Sequence, residues 1–111
     1  MRKLAITIMI TFLLPITTYA GYHTGVRNIV NMGCHNVDNT CYVTISGSSI
    51  GPPSCNSTSI RWNEKYDANG KSVLALLTAA FLGGKQVSFA ISDSCYQYQN
   101  NYPTFTYFFI H

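Results

Sequence analysis

Apolar and polar positions along this chain mark out five short strand candidates and one helix. Val26 to Met32 opens the series with imperfect alternation. Tyr42 to Ser46 follows, with Val43 and Ile45 on one face. Thr58, Ile60 and Trp62 then alternate with Ser57, Ser59 and Arg61, so this strand has one wet face. Gly47, Gly51, Pro52 and Pro53 mark the loop before it. Gln86 to Ile91 alternates again, with Val87, Phe89 and Ile91 pointing inward, and Thr104 to Ile110 is apolar on both faces near its end. A strand of that last kind needs cover on both sides, from the fold or from another subunit.

The helical run is Ser72 to Leu82, closed by Gly83-Gly84 and opened by Asp67 or Asn69 as N-cap. Its apolar residues go almost all the way round, which predicts a largely buried helix. Leu74, Leu77, Ala80 and Phe81 are expected to face Val43, Ile45, Ile60, Val87, Phe89 and Phe105. The order predicts an α+β fold with one buried helix between strands three and four. That is the helix position of a small five-stranded OB-like antiparallel barrel; an open antiparallel sheet packed on the helix fits the same order.

The first 20 residues stand apart from this pattern. Arg2 and Lys3 precede a mostly apolar stretch from Ala5 to Ile16, and Thr18-Tyr19-Ala20 has the small residues of a signal-peptidase site. This predicts a secretory signal over 1–20, cleavage after Ala20, and one disulfide-bonded OB-like domain over 21–111 in a secreted or periplasmic location. The apolar stretch is short for a membrane span, which takes roughly 20 residues. The mature part would carry Arg27, Arg61, Lys65, Lys71 and Lys85 against Asp38, Glu64, Asp67 and Asp93, five minus four, a net charge of +1. No basic stripe is left for a phosphate backbone, so a nucleic-acid partner is not expected.

Cys34, Cys41, Cys55 and Cys95 all follow the signal, and an even count in an exported chain points to two disulfides. No CxxC pair and no histidine at ligand spacing favours a metal. Three pairings are open. The turn-rich Asn36-Val37-Asp38-Asn39 lets Cys34 and Cys41 close a hairpin, which leaves Cys55 to pair with Cys95 across the helix.

Catalytic chemistry finds little to work with. Gly70-Lys71-Ser72 has the end of a phosphate-binding loop, but Lys65 stands where its first glycine is required. His23, His35 and His111 have no acid at a recognisable spacing, and Asp67 and Glu64 suit a cap and a solvated charge. No enzyme activity and no cofactor are expected. Aromatic residues are the excess: Tyr96, Tyr98 and Tyr102 gather in the Tyr-, Asn- and Gln-rich loop from Cys95 to Pro103, a composition able to stack on sugar rings or to cover the edge of a small core.

Three segments carry a family resemblance. Thr24-Gly25-Val26 opens the first strand, Cys55 precedes a short strand with Ser59-Ile60 and Trp62, and the helix runs into Gly83-Gly84-Lys85-Gln86-Val87. In this layout the chain resembles the B subunits of AB5 toxins of the subtilase cytotoxin and typhoid toxin type. It looks closer still to small secreted gamma-proteobacterial proteins sharing that arrangement. The resemblance implies an OB-fold, ring-forming pentamers and binding of sialylated glycans, with a hydroxyl before the first strand touching the sugar. Thr24 holds that position here.

Two functions follow as expectations. The first is a non-enzymatic glycan-binding module, with a shallow pocket built by Thr24 and Tyr22 or by Tyr96, Tyr98 and Tyr102. The second is a protein-interaction module that pairs through Thr104–Ile110 and takes no sugar. Either is compatible with an oligomer.

Overall fold

The computed structural model describes residues 22–111. The expected export signal lies outside the described residues. Among them the chain forms β1 (Tyr22–His23), β2 (Ile29–Cys34), β3 (Thr40–Ile45), a short 3-10 turn (Pro53–Cys55), β4 (Ser59–Asn63), α1 (Gly70–Leu82), β5 (Val87–Cys95) and β6 (Pro103–Ile110).

These strands make two three-stranded antiparallel sheets, ordered β1-β5-β6 and β2-β3-β4. The five-stranded OB-like barrel expected from element order is not formed, nor is one open sheet. Two features account for the difference. The run expected as one strand from Val26 is divided between the sheets: Arg27 exchanges backbone hydrogen bonds of 2.8 and 2.9 Å with Val87 of β5, and only from Ile29 does the chain pair with β3. At the other end, β4 and β6 lie side by side without sharing a ladder. They meet through side chains, with Trp62 and Phe105 edge to face at 6.0 Å between ring centroids.

The core lies where the inner faces of both sheets meet one stripe of the helix. Val43, Ile45, Ile60, Trp62, Leu77, Ala80, Val87, Phe89 and Ile91 form it, with Val73, Leu74, Phe105 and Phe108 packed against it. The period-two reading of the strands therefore selects the right inward positions. The helix differs from expectation. Only Gly70, Leu77 and Ala80 are buried in α1, while Leu76, Phe81 and Leu82 are exposed. Among the described residues nothing covers the outer face of the helix, so an all-round apolar sequence is left half uncovered.

The start of α1 is set by packing more than by capping. Asn69 occupies the N-cap but makes no side-chain capping bond. Asp67 instead accepts the Asn63 N–H at 3.0 Å, which folds 63–67 into a tight turn. Gly70 then lies so close to β4 that a Cβ there would collide with the Asn63 carbonyl and the Glu64 backbone.

Cys34 is bonded to Cys41 and Cys55 to Cys95. The first pair joins directly opposed residues of β2 and β3. The second ties the turn between β3 and β4 to the end of β5, and so links the two sheets. These disulfides are compatible with a secreted or periplasmic protein. No helix among the described residues is long and apolar enough to cross a membrane.

Candidate functional site

Thr24 lies at the end of β1 and is 6% exposed. Its backbone N–H donates to the Phe89 carbonyl at 3.0 Å, while its hydroxyl accepts the Phe89 N–H at 2.9 Å and donates to the Gly25 carbonyl at 2.7 Å. The Thr24 carbonyl, which would complete an ordinary strand pair with Phe89, accepts from Arg27 Nε at 2.8 Å instead. The side chain thus replaces a backbone acceptor in the ladder. It continues β1. Tyr22, paired with Ile91, sits at the exposed end of this strand.

The tyrosine loop is distributed in the same way. Tyr96 is buried, and its hydroxyl shares a 2.8 Å hydrogen bond with the Thr40 hydroxyl. The Tyr102 ring lies against the guanidinium of Arg61, 3.4 Å from its central carbon to the ring centroid, and Arg61 also donates to the Gln99 side-chain oxygen. These contacts fasten the loop to the outer face of β4. Tyr98 alone is well exposed, edge to face with Tyr96 and 6.1 Å from the Tyr66 ring. The structure therefore brings the three tyrosines into one loop but not into one binding surface.

The open surfaces lie elsewhere, on both sides of the N-terminal half of α1. One hollow of about 440 Å³ is bounded by Trp62, Tyr66, Asp67, Asn69, Val73 and Thr104–Thr106. It runs on into a groove of about 510 Å³ between α1, at Ser72, Val73 and Leu76, and β6 from Phe105 to Ile110. β6 is an edge strand. It bulges at Thr106, because Ala90 opposes Tyr107 while Ile91 opposes Phe105. Beyond the bulge Phe108 turns into the core beside Phe89, whereas Tyr107 and Phe109 face outward and touch edge to face. They are 50% and 59% exposed.

Of these surfaces, the sequence flagged only the last strand, through its apolar residues on both faces. Nothing in the sequence marks Tyr66, Asn69 or Arg61 for binding, since a lone aromatic, amide or arginine has no periodic signature. His35 and Asp38, three residues apart in the β2–β3 hairpin, form a side-chain hydrogen bond at 3.0 Å that linear spacing does not reveal. Among the described residues no group of three His, Cys, Asp or Glu side chains gathers to hold a metal ion.

Comparison of the chain with protein-family models, with curated proteins and with solved structures gives no match.

Proposed function

We propose that this chain is an exported binding module without enzymatic activity, and that it captures an extended protein segment along β6. The observation that carries the reading is the state of that edge. Natural edge strands are shielded by charges, prolines inside the strand or a covering element. From Thr104 to Ile110, β6 has no charged residue and no proline, it shares no ladder with β4, and an open apolar groove lies beside it. An added strand would take up the unpaired backbone groups, and its uncharged side chains would enter the groove against Leu76 and Phe109.

The test is amide hydrogen exchange on β6 in the presence of an alternating valine–threonine peptide and of the same peptide interrupted by proline. Slowed exchange between Tyr107 and Ile110 with the first peptide alone is the expected result. Equal exchange in all three samples would remove this reading.

A second reading, carbohydrate capture, is favoured by one feature: the exposed Tyr66 ring lines the hollow that also holds Asp67 and Asn69, and the exposed Tyr98 ring stands 6.1 Å from Tyr66. A glycan array with the parent protein and Tyr98→Ala addresses it. Sugar binding that Tyr98→Ala abolishes would favour this reading, and a blank array would leave the strand-capture reading alone.

A further inference from the structure

Arg61 is nine-tenths buried, yet among the described residues its charge has no carboxylate partner. The contrast with Arg27 is instructive. Arg27 spends its guanidinium on the carbonyls of Thr24, Ser46 and Ser48, as a structural arginine does. Arg61 spends Nε on the Ser59 hydroxyl and Nη1 on the Gln99 side chain, and Nη2 makes no hydrogen bond among the described residues. No side-chain nitrogen or oxygen there is both fully buried and unpartnered, so Nη2 reaches solvent.

The group is also held rigid. Tyr102 covers one face at 3.4 Å, and the Tyr42 ring lies 5.2 Å away. Stacking and the Gln99 bond fix the plane of the guanidinium before any ligand arrives, which lowers the ordering cost of binding. Burying a cation without a counter-charge is unfavourable, and tyrosine faces compensate for only part of it. The Ser59 hydroxyl, whose oxygen accepts from Nε, keeps its own hydrogen to donate. Around Arg61 the outer face of the β2-β3-β4 sheet presents Thr44 and Ser59 side by side, with no acid among them to repel an anion.

We infer that Arg61, clamped by Tyr102 and Gln99, is the anchor of a binding site for a carboxylate-bearing ligand on the outer face of this sheet, with Nη2 and the Ser59 hydroxyl as donors. The site is separate from the β6 edge and does not rest on the reading of that edge.

Nitrogen-15 NMR of the arginine side chains, with carbon-13 NMR of the tyrosine rings, in the purified protein tests it. Succinate represents a free carboxylate, the peptide acetyl-Gly-Glu-Gly-amide represents a protein side chain, and sodium chloride of matched ionic strength is the control. Saturable shifts of the Arg61 Nε–H and Tyr102 ring signals with a carboxylate, and none with chloride, are expected. A response to succinate alone assigns the site to small carboxylates, and a response to the peptide alone assigns it to protein side chains. In Arg61→Lys, which keeps the charge but loses the planar fork, saturation should disappear while the rest of the spectrum stays dispersed. Absence of saturable shifts in the parent protein, or the same shifts with chloride, overturns the site whether or not the variant folds.

Discussion

The Trp62 indole N–H donates to the Gly70 carbonyl at 3.1 Å, across the junction where β4 and the start of α1 come closest. The bond gives a fully buried tryptophan its one required acceptor. It also depends on residue 70 having no side chain, since a Cβ would meet the backbone of Asn63 and Glu64. Gly70→Ala should therefore cost about 1–3 kcal/mol by overpacking, although alanine is the better helix former. Denaturant unfolding measures this. A variant as stable as the parent would show that the helix start can move away from β4.

Thr24 supports a prediction that separates structure from recognition. Thr24→Val keeps the shape but leaves the buried Phe89 N–H without its acceptor. That should cost about 1–3 kcal/mol. Thr24→Ser restores the oxygen and should recover most of the loss. Thermal unfolding of the two variants decides it. If valine is tolerated as well as serine, the hydroxyl is not holding β1 to β5.

How far the sequence reaches is clear from such residues. The inward positions Val43, Ile45, Ile60, Val87 and Phe89 follow from alternation alone, because side-chain direction in a strand has period two. Element order does not determine how strands close, and the break at Arg27–Ile29 depends on which partner each short segment finds. Thr24 was legible as a hydroxyl before a strand, but its fate depends on Phe89, 65 residues away. Arg61 and Tyr102 carry no joint signal in the chain, since they meet only after the loop from Cys95 folds over β4. The sequence of α1 reads as apolar almost all round and so as buried, but which of its faces is covered depends on where the two sheets pack, and Leu76, Phe81 and Leu82 stay exposed.

The hairpin between Cys34 and Cys41 should be sensitive to acid. His35 holds the Asp38 carboxyl below its ordinary pKa by a side-chain hydrogen bond, and the Thr40 N–H adds to the effect. A depressed carboxylate pKa contributes stability that is fully present above the ordinary value and is lost as pH falls through the lowered one. The Asp38 carboxyl signal, followed by NMR, should titrate below the range of an unperturbed aspartate, and the Thr40 amide should shift with it. In His35→Ala the midpoint should rise towards the ordinary value. An unchanged midpoint would mean that the His35–Asp38 contact of 3.0 Å has no force in solution.

The two disulfides should differ in their importance to folding, for reasons of length and of place. Cys55–Cys95 spans 40 residues and Cys34–Cys41 only seven. Loop-closure entropy then assigns about 4 kcal/mol to the first and about 2.5 kcal/mol to the second. Place widens the gap. Cys34 and Cys41 already oppose each other in a ladder that backbone hydrogen bonds hold together. Cys55 and Cys95 belong to opposite sides of an architecture whose two sheets, among the described residues, share no ladder and meet through the Arg27–Val87 bridge, side-chain packing and side-chain hydrogen bonds such as Thr40–Tyr96 and Arg61–Gln99. Removing that link frees β5 and the tyrosine loop from the 3-10 turn at once. The double variant Cys55→Ala/Cys95→Ala should lose more stability than Cys34→Ala/Cys41→Ala in urea unfolding. Its loss should exceed the entropy difference alone, with faster amide exchange across the seam between β4 and β6. Equal losses in the two variants would mean that packing of Trp62 against Phe105, not the covalent link, holds the sheets together.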